Sequence, residues 1–301
     1  MFKDSFKYYK ARKPPPNLEH VIDPMKPSNK NVRKMNVDFQ SETGLGVKFG
    51  LKSMKEWNIY EFINIPGLIL LQNPFTAKGQ QEWIIKCLKE YTEKPNITNI
   101  DAHGLLSNNE TWWDTCFGTM PRKDLLSRLR WTTLGYHHNW DTKHYSENLK
   151  SKMPNDLKDL IEYLARILGF QEFKAEAAII NYYKMNSTLA GHTDHSEAYL
   201  EAPLFSISFG QAAIFLIGGL KQENSAHALF LRSGDVLVMS GNSRLKYHGV
   251  PKILIDESKP WSSMPNSSIN NEDWQKVNAY ISDSRINVNV RQVLKPGQLN
   301  L

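Results

Sequence analysis

Apolar and polar positions along the chain change period about halfway. Before residue 170 the stronger signal is helical. Between Gly79 and Pro95, Ile84, Ile85, Leu88 and Tyr91 recur at the spacing of one helix face, and Pro95 ends the pattern. A second stripe of Leu157, Leu160, Ile161, Leu164, Ile167 and Leu168 is closed by Gly169 and reads as a core-facing helix, not a cofactor box. The apolar run from Gly67 to Phe75 reads as a strand stopped at Pro74. The second half has short strand-like runs, AAIINYYK, LFSISF, AAIFLI, HALFLR, DVLVMS and RINVNVR. Turn signals separate them at Gly210, Gly218-Gly219, Ser233-Gly234 and Gly241-Asn242, and a third helix is expected over Glu272–Asp283. The order predicts an α+β chain with an all-β sandwich or barrel core. No internal repeat is visible.

Composition narrows the class. A hydrophobic share of 41% and an aromatic share of 11% in 301 residues exclude a disordered chain. No run of 18 apolar residues is present, so no membrane-spanning helix is expected. Two cysteines, Cys87 and Cys116, exclude a disulfide framework or an all-cysteine zinc site, and a soluble intracellular protein is expected. The net charge is 37 − 31 = +6, a weak pointer to an acidic partner such as nucleic acid. Residues 1–50 hold ten basic and five acidic residues and supply +5 of it; residues 51–301 hold 27 and 26. The opening MFKDSFKYYKARKPPP has no apolar segment of a secretory signal, and Asp4 and few serines or alanines speak against a mitochondrial presequence, so it reads as a solvated basic arm.

The first chemical signal is His192-Thr193-Asp194, just after AAIINYYK. Side chains two apart on an extended segment share a side, so an imidazole and a carboxylate converge on one ion. His248 can supply a third ligand. Two histidines and one carboxylate make the facial triad of non-haem Fe(II) oxygenases, whose open positions admit a co-substrate and O₂. Zinc also accepts this set. His195 is a rival ligand, but extended geometry turns it to the opposite face.

The second signal is Arg285-Ile286-Asn287-Val288-Asn289-Val290-Arg291. In a strand, Ile286, Val288 and Val290 share one face, and the two arginines and two asparagines share the other. Such a ladder of donors suits a carboxylate ligand inside a barrel. Six residues separate Arg285 from Arg291, roughly 20 Å along a strand, so they grip different parts of a ligand. Asn181 and Tyr183 alternate onto one face of the strand that leads to the metal pair and can add hydrogen bonds.

These motifs, with SRL leading into YHGV at 243–250, SFGQAAIFLIGGL and SGDVLVMSG, resemble the AlkB-type Fe(II)/2-oxoglutarate dioxygenases over about residues 65–292. RWTTLGYHHNWD, NYYK and HTDHSE are most similar to the animal AlkB homologue-one branch. The resemblance implies a double-stranded β-helix (jelly-roll) core flanked by helices at 151–301. It also implies a helix and nucleotide-recognition lid region at 66–150 and an N-terminal extension packed on the core at 1–65. It implies Fe(II) on His192, Asp194 and His248. Arg285 and Tyr183 would hold the distal carboxylate of 2-oxoglutarate, with Asn181, Asn287 and Arg291 nearer its metal end. The implied reaction is oxidative N-demethylation of DNA or tRNA by a monomer in nucleus or mitochondrion, releasing formaldehyde, succinate and CO₂.

For the substrate side, Trp113 and the cationic group Arg122, Lys123, Arg128 and Arg130 combine rings with phosphate-binding charge. The ring-rich run Tyr136, His137, His138, Asn139 and Trp140 follows, with Tyr136, His137 and His138 as the candidates. A flipped base could be sandwiched there. For Trp113 and Tyr136 packing in the core is an equal alternative, and for Trp131 it is the preferred one. A dioxygenase acting on methylated histone lysine is the competing function.

Overall fold

Strand and helix periods sort into separate layers in the computed structural model, which describes residues 1–26, 31–37, 44–262 and 271–301. The first part of the chain alternates short elements: α1 (Phe2–Lys10), β1 (Val32–Lys34), α2 (Leu45–Lys48), β2 (Asn58–Phe62), β3 (Leu68–Gln72) and α3 (Ala77–Leu88). Thr76 starts α3 by accepting the Gly79 N–H on its hydroxyl. Then come β4 (Ile97–Thr98), α4 (Asn99–Ala102), α5 (Trp112–Phe117), α6 (Lys123–Leu126), β5 (Trp131–Gly135) and α7 (Asn155–Ile167). The remainder is β6 (Ala177–Lys184), β7 (Leu189–His192), β8 (Leu204–Gly210), β9 (Ala212–Ile217), β10 (His227–Leu231), β11 (Val236–Met239), β12 (His248–Leu254), α8 (Asn271–Ile281) and β13 (Ser284–Arg291).

Nine strands form a large sheet in the order β1-β2-β3-β11-β8-β13-β6-β5-β4, and four form a small sheet, β10-β9-β12-β7. Neighbouring strands pair antiparallel throughout, for example β13 with β6 and β8, and β12 with β7 and β9. The inner faces meet in one apolar cluster: Leu204, Leu237 and Met239 come from the large sheet, Phe215, Ile217, Leu231 and Val250 from the small one. The outer face of the large sheet carries the main core. There Ile180, Phe205, Ile207 and Val288 pack with Ile84 of α3, Leu160 and Leu164 of α7 and Val277 of α8. The result is the jelly roll, with α3, α7 and α8 on the outer face of the large sheet.

One element departs from the sequence reading. The first helix is not a solvated arm: Phe2 and Tyr9 are buried with Ile214 and Leu216 on the outer face of the small sheet, while Lys3, Lys7 and Lys10 stay exposed. Phe2, Phe6 and Tyr9 share one helix face, a period the charge count hides, while Tyr8 is exposed. The limits 65/66 and 150/151 are bridged by pairing, β2 with β3 and β5 with β6. Among the described residues, no helix is long and apolar enough to cross a membrane.

Candidate active site

A cavity of about 550 Å³ opens between the two sheets. Its floor is the inner face of β13. Cross-strand register puts Arg285 opposite Tyr183 and Asn287 opposite Asn181, so all four face the cavity side of the sheet. Ile286, Val288 and Val290 point the other way into the helix-facing core. The alternation seen in the sequence is therefore a division between solvent-free core and cavity.

At one end of the cavity lie His192, Asp194 and His248. One ligand atom from each lies within 4.8 Å of the others. His192 Nε2 is 3.9 Å from Asp194 Oδ1, and His248 Nε2 is 3.5 Å from Asp194 Oδ2. The register of β7 against β12 makes this convergence, since it sets His248 opposite His192. Each imidazole Nδ1 lies 2.9 Å from a backbone carbonyl, Ala190 for His192 and Lys246 for His248. A carbonyl only accepts, so Nδ1 carries the proton and Nε2 keeps its lone pair for a metal. Burial, and then His248 beside it, pulls the His192 pKa down and favours that neutral form. Burial alone would raise the Asp194 carboxyl, but Arg291 and the two histidines outweigh it and hold it well below the usual range. The donor set is that of a facial triad, and it fits Fe(II).

The other end fits an anion. Arg285, 1% exposed, donates to Ser208 Oγ at 2.7 Å and to the Gln211 carbonyl at 3.2 Å. Among the described residues its Nε has no partner, nor has the Tyr183 hydroxyl, nor Nη1 of Arg291. Buried donors left this way are costly unless a ligand satisfies them. Burial pushes the Arg285 pKa down to about 10, which still leaves it a cation at neutral pH. Asn287 is held by Ser206 Oγ at 2.8 Å and the Ile207 carbonyl at 3.1 Å. Arg291 donates through Nη2 to Asp194 Oδ1 at 3.0 Å, which ties it to the metal end.

Of the substrate-side residues, the structure brings only His138 to the cavity. Trp113 is buried in α5, 4.6 Å ring to ring from Phe117, and belongs to the main core. Tyr136 is buried, with its hydroxyl bonded to Glu147 and receiving Lys150 Nζ at 2.7 Å. His137 is buried, with Nδ1 2.8 Å from Thr133 Oγ1. Alternation after β5 turns His137 to the side opposite Tyr136 and His138, which both meet the Tyr145 ring, and of these two the later one, His138, reaches the cavity. Arg122, Lys123, Arg128 and Arg130 are all exposed; Arg122 pairs with Asp124 at 3.2 Å. Trp140, which closes the ring-rich run after Tyr136 without being among its candidates, lines the cavity beside His138; sequence reasoning missed Lys143 and Tyr145, which line it too. His138 meets Trp140 edge-on at 4.7 Å, and Trp140 lies 5.1 Å from Trp131. It also missed Ser206 and Ser208, whose alternation within LFSISF was a legible signal, and the buried carboxylate Glu197.

Residues 67–291 match the 2OG-Fe(II) oxygenase superfamily, and the chain belongs to that family: it is a 2-oxoglutarate-dependent dioxygenase whose cofactors are Fe(II) and 2-oxoglutarate. A Mus musculus protein, "Nucleic acid dioxygenase ALKBH1", is 38% identical over 99% of this chain and 85% of its own length. "tRNA demethylase abh1" of Schizosaccharomyces pombe is 32% identical over 97% of this chain and 95% of its own. "DNA N(6)-methyladenine demethylase ALKBH1A" of Arabidopsis thaliana is 32% identical over 76% of each.

Proposed function

We propose that this dioxygenase removes N-methyl groups from nucleic acid, from methylated adenine in DNA or methylated bases in tRNA. The observation that carries the reading is the open aromatic edge of the cavity: Trp140, 46% exposed, stands against His138 at the mouth. An exposed indole at a cavity mouth suits a base that has left its stack. The names of the similar proteins from mouse, fission yeast and Arabidopsis support the same substrate class.

In this reading His192, Asp194 and His248 hold Fe(II) on one side and leave three positions open. Arg285 and Tyr183 hold the distal carboxylate of 2-oxoglutarate, using donors that are otherwise orphaned. Asn181, Asn287 and Arg291 face its metal-binding end. When bound, Fe(II) and 2-oxoglutarate supply, with O₂, the oxidation of a methyl C–H bond that ends in formaldehyde, succinate and CO₂. The chain orients the methyl group and keeps water out: Leu204, Phe215 and Leu237 wall the cavity with apolar surface. His138 and Trp140 position the base, and exposed Arg122, Lys123, Arg128 and Arg130 meet phosphates. Tyr136 packs on Tyr145 behind this ledge, while Trp113 and His137 serve as packing elsewhere. The protein acts as a monomer in this reading, and the substrate class favours nucleus or mitochondrion.

The test is succinate release with a methylated oligonucleotide and with a methyl-lysine peptide. His192→Ala is expected to abolish both coupled and uncoupled turnover. Trp140→Ala is expected to reduce oligonucleotide kcat/KM about 10-fold, in line with about 1–3 kcal/mol per stacked base, while uncoupled 2-oxoglutarate turnover stays intact. Faster turnover of the peptide than of any oligonucleotide overturns the nucleic-acid reading.

A further inference from the structure

Glu197 sits in the loop between β7 and β8, three residues after Asp194, and its side chain is only 1% exposed. A carboxylate that deep is tolerated only when its charge and oxygens are matched. Here they are. Oε1 accepts from Arg291 Nε at 3.0 Å, and Oε2 accepts from Arg244 Nη2 at 3.0 Å. Both arginines also hold Asp194: Arg291 through Nη2 to Oδ1 at 3.0 Å, and Arg244 through Nη1 to the backbone carbonyl at 2.8 Å. Arg244 Nε reaches on to the Ala202 carbonyl at 2.9 Å. The four residues close a ring with two positive and two negative charges, and one of its members is the carboxylate of the triad.

We propose that Glu197 is a positioning residue for the metal centre: it fixes Arg291 so that only one oxygen of Asp194 is taken by the arginine and the other is left to the metal. This rests on the reading of His192, Asp194 and His248 as the Fe(II) ligands. A guanidinium beside a single carboxylate favours two parallel N–H···O bonds. Glu197 holds Nε and so fixes the orientation in which Arg291 presents Asp194 with Nη2 alone, on Oδ1. Oδ2, 3.5 Å from His248 Nε2, stays clear. Without Glu197, Arg291 is free to turn its two-nitrogen edge to Asp194 and compete for Oδ2. A second effect has the same sign. Removing one negative charge leaves the ring at +1 beside a divalent cation, and in a low-dielectric site that repulsion is weakly screened. Arg244 has a separate task, since it ties together the backbone at 194 and 202.

The two effects predict a signature that loss of structure does not give. Glu197→Gln keeps the side-chain size and one acceptor but removes the charge. Affinity for Mn(II), a redox-inert stand-in for Fe(II), is expected to fall about 10- to 100-fold, the range for partners that orient metal ligands. With Mn(II) saturating, 2-oxoglutarate should bind as in the wild type or tighter, because it is an anion in a site that has become more positive. Titration calorimetry of both ligands reads the split. Parallel loss of both affinities assigns Glu197 a purely structural role and overturns the proposal. Wild-type Mn(II) affinity in Glu197→Gln also overturns it, provided His192→Ala has lost Mn(II). If His192→Ala binds Mn(II) as well as the wild type, the ligand assignment itself is what fails. Should Glu197→Gln not fold, Glu197→Asp carries the test: it keeps the charge but is one methylene short of bridging both arginines. Its Mn(II) affinity should fall while 2-oxoglutarate affinity holds, and an unchanged Mn(II) affinity overturns the proposal.

Discussion

Arg285 shows how one residue's chemistry is set by its neighbours. Two of its nitrogens are committed to Ser208 and Gln211, which aim the guanidinium, and Nε is left for a ligand beside the orphaned Tyr183 hydroxyl. A lysine at this position keeps the charge but has neither the fork nor the fixed plane. Arg285→Lys is therefore expected to raise the KM for 2-oxoglutarate about 10-fold or more, the effect of a lost charge-assisted hydrogen bond of about 1.5–3 kcal/mol. kcat at saturating 2-oxoglutarate should change far less. A steady-state titration of 2-oxoglutarate checks it, and an unchanged KM removes Arg285 from the co-substrate site. Trp113 teaches the opposite lesson. A tryptophan near basic residues reads as a stacking surface, yet helix α5 turns it into the core, and the exposed indole near the cavity is Trp140.

Among elements, β13 carries most of the proposed co-substrate contacts, and it is paired on both edges and buried on both faces. That double constraint holds its donors in place without loop motion. Helix α1 acts from outside the sandwich. Phe2 packs edge-on against Tyr247 at 4.8 Å, next to His248, and covers Gly191, next to His192. A Cβ on Gly191 would stand 2.3 Å from the Tyr247 ring and 2.5 Å from Phe2, so a glycine is required there. The helix thus clamps the ends of both metal-bearing strands. Phe2→Ala removes a buried ring, a change that costs about 3–5 kcal/mol in cores. The loss should be local. Amide hydrogen exchange is expected to accelerate in β7 and β12 and to stay unchanged in β13. Equal protection of β7 and β12 in variant and wild type would show that α1 does not brace this strand pair.

For the whole molecule, charge is distributed by burial more than by composition. The excess of +5 in residues 1–50 includes exposed lysines on α1, while the charges that matter for chemistry are buried and nearly balanced. Asp194 and Asp235 illustrate two opposite linkages to stability. Asp194 is held low by Arg291 and the histidines, so its contribution is present above the ordinary carboxylate range and is lost only in stronger acid. Asp235 lies where β3, β8 and β11 meet, and burial pushes it up to about 7 despite backbone N–H donors from Arg232 and Asn73. The folded state then holds a proton that the unfolded chain releases near pH 4. Stability contributed by Asp235 is complete below that point and falls as pH rises towards 7. In denaturant titrations from pH 4 to 7, Asp235→Asn is expected to flatten this decline. A slope identical to that of the wild type would show that Asp235 ionises normally in the fold.

By itself, the sequence determined what period and residue type determine. RINVNVR declared a strand with an apolar and a polar face, and HTDH with YHG supplied a metal-binding set, because alternation along a strand is a local property of the backbone. The stripe from Leu157 to Leu168 declared a core helix in the same way. What only the tertiary structure decided involves side chains far apart in the chain. His248 reaches His192 through the pairing of β12 with β7, and Glu197 reaches Arg244 and Arg291 across loops. Whether a tryptophan is core or ledge, and whether a basic stretch is an arm or a clamp, depended on which face met another layer. Burial is a property of the assembled sheets and helices, and no stretch of sequence holds it alone.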